Sequence, residues 1–129
     1  MEKKLLREGP YADFFSQGVQ VGNLLTMAGQ IAVDDNGNTP DDLKSQMIVC
    51  YENILKILDY FGGTLENIVD ETWFVTDIDE CMENVLEIFA EREKIYGCKP
   101  EVSQTLIGVN ALVQPNLKIE IKCIAHIEK

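Results

Sequence analysis

Residues 39–63 have the sequence TPDDLKSQMIVCYENILKILDYFGG and predict an amphipathic helix. Thr39 is placed to cap it, Pro40 suits the first helical position, and Asp41 and Asp42 fall where the helix dipole favours negative charge. The glycines at positions 62 and 63 are predicted to end it. Apolar residues recur at helical spacing and predict one buried face, at Leu43, Met47, Cys50, Tyr51, Ile54, Ile57, Leu58 and Phe61.

Strands are predicted on both sides of this helix. Before it, the residues up to Tyr11 form a polar lead-in, and residues 15–34 contain β-type runs joined by Gly22-Asn23, which suits a tight hairpin turn. After it, β-branched and aromatic side chains predict a strand over residues 68–76, and two more strands follow at residues 103–112 and 117–127.

A second helix is predicted between the last three strands. Its buried face would carry Met82, Val85, Leu86, Phe89 and Tyr96. The resulting order is βββαβαββ, an α+β fold in a single domain over residues 1–129. Both helices would lie on one face of a mixed sheet. The other face would expose apolar side chains in a monomer, which predicts self-association.

Composition excludes several classes of function. The 129 residues are 46% hydrophobic and 26% charged, which is typical of a globular protein. The chain carries 22 acidic and 11 basic residues, a formal net charge of −11, and its densest basic cluster is Lys3, Lys4 and Arg7. Nucleic-acid binding normally requires a basic stripe, so we expect no nucleic-acid partner.

The sequence also predicts a cytoplasmic protein without a membrane partner or a cofactor. Lys3 and Lys4 are not followed by the apolar core of an export signal, and the apolar runs elsewhere are too short to span a membrane. The four cysteines form no C-x-x-C pair, and one histidine supplies no ligand cluster, so no metal is expected. Cys123 and His126 would lie on opposite faces of one strand, which disfavours a thiol nucleophile with a histidine base.

Five short motifs extend over nearly the whole chain: FSQGVQVGN at residues 15–23, AGQI at 28–31, TWFVTD at 72–77, IGV at 107–109 and IEI at 119–121. In this order and spacing they make the chain similar to the RidA/YjgF family, also called endoribonuclease L-PSP or translation-initiation-inhibitor-like. The resemblance implies a chorismate-mutase-like fold. It also implies a homotrimer with three equivalent small-molecule clefts between its subunits.

The deaminase branch of that family binds the carboxylate of a 2-imino or 2-enamino acid, and water hydrolyses the C=N group. Members of the branch hold the carboxylate with an arginine that this chain lacks. Counting back from Gly108 places Gln104 at that position, followed by Thr105, whereas counting forward from Pro100 places Val102 there. A neutral amide cannot replace the bidentate, charged clamp of a guanidinium. The usual 2-imino acids are therefore not expected to be substrates.

The resemblance assigns four further residues of this chain to the small-molecule site. Glu120 is similar to the glutamate that orients the hydrolytic water, and it is the predicted catalytic residue; the alternative is a glutamate that only faces solvent. Phe15 replaces a tyrosine found at the cleft entrance in many members. Gly29 and Gln30 are predicted to line the cleft through their backbone, although a strand bulge would also explain Gly29.

Three functions remain open from the sequence. The first is a hydrolase of imine or enamine compounds, in which Glu120 positions water while Gln104, Thr105 and Phe15 contact the substrate. The second is a non-catalytic ligand-binding or chaperone-like homotrimer of the same fold. The third is the ribonuclease-type translation inhibitor named by the family, which the acidity of the chain disfavours.

Overall fold

The computed structural model describes residues 1–128. The strands are β1 (Lys4–Leu6), β2 (Gly18–Val21), β3 (Leu24–Met27), β4 (Gln30–Ile31), β5 (Ile68–Val75), β6 (Ser103–Gly108) and β7 (Ile119–His126). The helices are α1 (Leu43–Tyr60), α2 (Ile78–Glu83) and α3 (Val85–Tyr96), and a short 3-10 turn (Leu65–Asn67) precedes β5. Among these residues, none of the helices has the length and apolarity of a membrane-spanning segment.

Helix α1 begins at Leu43, and Asp42 is its cap. A side-chain oxygen of Asp42 accepts a hydrogen bond of 3.0 Å from the backbone N–H of Ser45. The prediction of a cap at Thr39 is therefore wrong, and Pro40 lies outside the helix. The predicted apolar face is confirmed, since all eight of its residues from Leu43 to Phe61 are buried.

The strands form one mixed sheet in the order β1-β2-β3-β7-β5-β6, with β4 also paired to β7. All pairs are antiparallel except β5 and β6, which are parallel and are joined by α2 and α3. This arrangement confirms the predicted α+β class. The order βββαβαββ misses β1, because its three residues, within a segment predicted as lead-in, are too short to show a strand pattern.

The second predicted helix is interrupted at Asn84, whose backbone is not helical. The interruption changes which side chains face the core: Ile88 is buried, whereas Met82 is 51% exposed and Leu86 is 85% exposed. The predicted core positions Met82 and Leu86 are thus wrong. Asn84 disfavours a helix interior because its side chain bonds to nearby backbone, here the carbonyl oxygen of Glu80.

The two faces of the sheet differ in their surroundings. Trp73, Ile119 and Ile121 belong to the buried core on the helix side. The alternate residues of the strands lie on the other face, and several of them are apolar and partly or fully exposed, including Leu5, Leu24, Phe74, Ile107 and Ile124. The predicted apolar, helix-free face is therefore present.

Candidate functional site

A cleft of about 700 Å³ opens beside the centre of β7. Its walls come from the segment before β2, from β4 and the loop after it, from the middle of α1, and from the loop between β6 and β7. Four of the six residues predicted for the site line this cleft, namely Phe15, Gly29, Gln30 and Glu120. The fold brings them together from segments that are far apart in the sequence.

Glu120 lies on the helix-free face of β7, opposite Phe74 of β5 and Ile31 of β4. Its side chain is half-buried, and within residues 1–128 its carboxylate takes part in none of the ion pairs or side-chain hydrogen bonds. Burial raises the pKa of Glu120 above its ordinary value, and the ammonium of Lys122 partly offsets that shift. A half-buried carboxylate whose pKa is raised is a stronger base than an exposed one, which suits it to accept a proton.

Gly29 lies directly against this carboxylate. A Cβ atom at position 29 would overlap Oε2 of Glu120 and would lie 2.8 Å from its Cδ. The absence of a side chain is therefore what lets the carboxylate reach this wall of the cleft. The strand bulge that the sequence left open is also present: β3 and β4 both pair with β7, and the register shifts by one residue between Thr26–Ile124 and Gln30–Ile121.

Gln30 fixes the same wall through hydrogen bonds. Its side-chain amide donates to Oε1 of Gln17 at 2.9 Å and to the carbonyl oxygen of Ala28 at 3.0 Å. Because the side chain is 9% exposed and already has these partners, its contribution to the site is to hold the backbone around Gly29 in place.

An aromatic pair forms the opposite side of the cleft. The rings of Tyr11 and Phe15 are stacked, with centroids 5.5 Å apart and an interplanar angle of 16°. Tyr11 lies in the segment that sequence analysis assigned to a polar lead-in, so its place in the site was missed. The feature of the sequence that could have indicated this part of the site is the dipeptide Pro10-Tyr11, and both of its residues line the cleft.

Gln104 and Thr105 lie on β6 and do not line this cleft within one protomer. Gln104 faces the helices, where its amide donates a hydrogen bond of 2.8 Å to Oε1 of Glu71. Thr105 pairs with Thr72 and faces the helix-free side. The two neighbours point in opposite directions because side chains alternate along a strand. Gln104 therefore lies on the face of the sheet away from Glu120, whereas Thr105 shares the helix-free face with it, two strands away.

Gln104 belongs to a buried polar network around Glu71, which is fully buried on β5. Nε of Arg92 donates to Oε1 of Glu71 at 2.7 Å, and Tyr51 and Tyr96 each donate a hydroxyl hydrogen bond of 2.8 Å to Oε2. Burial and the charge of Glu71 raise the pKa of both tyrosines, so they remain protonated donors. Every oxygen of the carboxylate is satisfied, which gives this cluster a structural role.

The described residues contain no cluster of three or more histidine, cysteine, aspartate or glutamate side chains arranged to hold a metal ion. Three cysteines, Cys50, Cys81 and Cys123, are buried, and Cys98 is exposed. Burial is the main cause of the raised pKa of the Cys50 and Cys123 thiols, which makes them poor nucleophiles.

Comparison with known proteins gives consistent matches along the chain. A family model described as Endoribonuclease L-PSP matches residues 7–127. Protein mmf2, mitochondrial, of Schizosaccharomyces pombe is 33% identical over 122 residues, which cover 95% of this chain and 91% of that protein.

Solved structures show the same fold. Rv2704 from Mycobacterium tuberculosis, a member of the YjgF/YER057c/UK114 family, has a TM-score of 0.80 at 25% identity, covering 98% of this chain and 100% of that one. Escherichia coli TdcF with bound serine has a TM-score of 0.78 at 25% identity, covering 95% of this chain and 91% of that one.

Proposed function

The chain belongs to the endoribonuclease L-PSP family, as its resemblance to RidA/YjgF proteins indicated, and from this premise we propose that it hydrolyses imine or enamine compounds. The observation that carries the proposal is the half-buried carboxylate of Glu120, held against Gly29 in a cleft of about 700 Å³. A cleft of this volume fits a small-molecule substrate.

The proposed reaction converts a C=N group and one water molecule into a C=O group and ammonia. Glu120, as a carboxylate, accepts a proton from water while the water oxygen bonds to the imine carbon. The proton then passes to nitrogen and gives a carbinolamine. A second proton moves from the carbinolamine hydroxyl group to nitrogen, the C–N bond breaks, and ammonia leaves as the carbonyl forms. An enamine enters the same path after a proton moves to its carbon and produces the imine. Because burial raises the pKa of Glu120, its carboxylate is a stronger base toward water than that of an exposed glutamate.

The usual 2-imino acids are not the substrates in this proposal. Gln104 offers only an amide, and that amide already donates to Glu71. The cleft itself contains one ammonium group, that of Lys56, which is paired with Asp35. A substrate carboxylate would therefore enter without a free cationic partner, at a cost of about 2–5 kcal/mol in binding.

The proposed assembly is a homotrimer in the cytoplasm. Neighbouring subunits would cover the helix-free face of the sheet and would so remove its exposed apolar side chains from water. Neighbouring subunits would also bring a second copy of β6 to each cleft, which would allow Thr105, on the helix-free face, to contact the ligand. Reduced thiols at four unpaired cysteines suit the cytoplasm.

A non-catalytic ligand-binding or chaperone-like homotrimer is the second candidate. The contact of Gln104 with Glu71 favours this second candidate. Gln104 then supports the fold, and no cationic side chain takes its place to bind a substrate carboxylate. The ribonuclease function remains the least favoured, since a net charge of −11 repels phosphate groups.

Release of ammonia from N-unsubstituted imines that lack a carboxylate, generated in solution by a flavin-dependent amine oxidase from primary amines, tests the enzyme proposal. We expect turnover by the wild type and a loss of about a hundredfold or more in Glu120→Gln, which keeps the shape but removes the base. Glu83→Gln, at an exposed position on α2, is the matched control and should keep full activity. Equal background rates with and without the wild-type protein would instead support the non-catalytic candidate.

A further inference from the structure

The charges that line the cleft are strongly unequal. Of the described lining residues, four carry carboxylates and one carries an ammonium group: Glu8, Asp34, Asp35 and Glu120 against Lys56. Lys56 forms an ion pair with Asp35, so the charge of the ammonium is compensated within the wall. The field inside the cleft is consequently negative. Low-dielectric walls strengthen such a field by comparison with an open surface.

The aromatic side of the cleft adds a second feature that favours positive charge. Tyr11 and Phe15 stack on one another and both line the cavity. The faces of aromatic rings are electronegative, so a cation that lies over them is attracted, by about 0.5–1 kcal/mol when exposed and more when desolvated. The same rings also accept apolar groups, so the cleft offers apolar as well as acidic surface.

Glu120, on β7, lines the same cleft. Its carboxylate is half-buried and lacks an ion-pair partner among residues 1–128, so its burial is compensated only in part, by the ammonium of Lys122. A cationic group placed in the cleft would supply that compensation, whereas an anionic group would add repulsion.

We propose that the cleft selects ligands that carry a positive charge beside an apolar group, such as an iminium ion or an ammonium-bearing imine. This inference rests on the proposed function and names its substrate class. A negative environment favours the protonated form of an imine nitrogen, and the protonated C=N group is the more electrophilic one. The cleft would therefore both bind such a substrate and activate it for attack by water.

Three probes that share one ring test the charge preference without requiring turnover: benzylammonium, benzyl alcohol and benzoate. Binding to the wild-type protein would be measured by NMR titration at low salt. We expect benzylammonium to bind about tenfold or more tightly than benzyl alcohol, and benzoate to bind most weakly. Raising the salt concentration should weaken the binding of benzylammonium more than that of benzyl alcohol, because salt screens the charges of the cleft.

Asp35→Asn provides a second measurement. This change removes one lining carboxylate and releases the ammonium of Lys56 from its ion pair. We expect benzylammonium binding to weaken by about threefold to tenfold and benzoate binding to strengthen. Asp59→Asn, an equal change of charge at an exposed position on the same helix as Lys56, lies outside the cleft and should leave all three affinities unchanged.

Benzoate binding as tight as that of benzylammonium, or no benzylammonium binding at millimolar concentrations, would overturn the inference. The outcomes also separate it from the proposed function. A preference for cations without turnover of any imine would contradict only the enzyme proposal. Turnover of imines without a preference among the three charges would contradict only the charge selectivity.

Discussion

The carboxylate of Glu120 packs so closely against Gly29 that the two positions cannot change independently. In Gly29→Ala the new methyl group would occupy the place of Oε2, and the carboxylate would have to turn away. A displacement of about 1 Å at a catalytic group can lower a rate about a hundredfold. We therefore expect turnover to fall by that order while the protein stays folded, as measured by ammonia release and circular dichroism.

Glu120→Asp in the Gly29→Ala background serves as the matched test of this steric cause. The aspartate is one methylene shorter and leaves space for the methyl group, so part of any stability lost in Gly29→Ala should return in the double variant. If Gly29→Ala alone alters neither turnover nor the melting temperature, the carboxylate has another place in the cleft and the steric argument is wrong.

The raised pKa of Glu120 has a consequence for stability as well as for activity. Because the folded state holds the proton more tightly than the unfolded state, stability falls as the pH rises from the ordinary value of 4.5 through the folded pKa. Glu120→Gln cannot ionise and avoids this loss. We expect the variant to melt above the wild type at pH 7, with the difference shrinking below about pH 4. A lower melting temperature for the variant at pH 7 would show that Lys122 more than compensates for burial.

The site could be predicted from the sequence only in part, and the reasons lie in individual residues. The motifs contain Glu120, Gly29, Gln30 and Phe15, and these four residues line one cleft. Tyr11 was missed because it precedes the first of those motifs. The contact between Gln104 and Glu71 was also missed. It depends on the parallel pairing of β5 with β6, two strands that are separated in the sequence by two helices, and no sequence pattern predicts that register.

At the scale of elements, the network around Glu71 joins α1, α3, β5 and β6. Arg92→Ala would leave a buried carboxylate without its charged partner, at an expected cost of about 3–5 kcal/mol in the free energy of unfolding. Urea denaturation would measure the loss. Lys44→Ala is the matched control, because Lys44 and Glu87 form an ion pair between the same two helices at the surface. That variant should remain close to wild type.

Glu71→Gln alone and Arg92→Ala combined with Glu71→Gln complete the double-mutant cycle. Removal of both charges should cost less than removal of Arg92 alone, since no uncompensated charge then remains in the core. A loss in Arg92→Ala no larger than that in Lys44→Ala would contradict the structural role of the network. In that case Gln104 and the two tyrosines would suffice to hold Glu71.

Helix α1 and the second helical segment show how far the buried face and the ends of a helix can be predicted from the sequence. Regular spacing predicted the buried face of α1 correctly, whereas the start of the helix depended on which of several polar residues caps it. Asp42, and not Thr39, is the cap because its side chain accepts a hydrogen bond from the backbone N–H of Ser45. In the second helical segment the spacing failed at Met82 and Leu86, on either side of the interruption at Asn84, whereas the predicted positions Phe89 and Tyr96 do pack against the core.

The whole molecule leaves two kinds of apolar surface uncovered, and they allow a controlled test of the homotrimer. Leu24 is 47% exposed on the helix-free face of the sheet, and Leu86 is 85% exposed on the helical layer. The assembly proposed above buries the first face and leaves the second free. Equal substitutions at the two positions should therefore differ in their effect on association, although Leu86 is the more exposed of the two.

We expect the wild type to elute with about three times the mass of one chain when size exclusion is coupled to light scattering. Leu24→Asp would bury a charge in the subunit contact and should shift the protein toward monomer, whereas Leu86→Asp should leave the mass unchanged. Cation binding should fall with the trimer only if a neighbouring subunit completes the cleft. A wild type that is monomeric at micromolar concentration, or a Leu86→Asp variant that alone dissociates, would contradict the proposed use of the helix-free face.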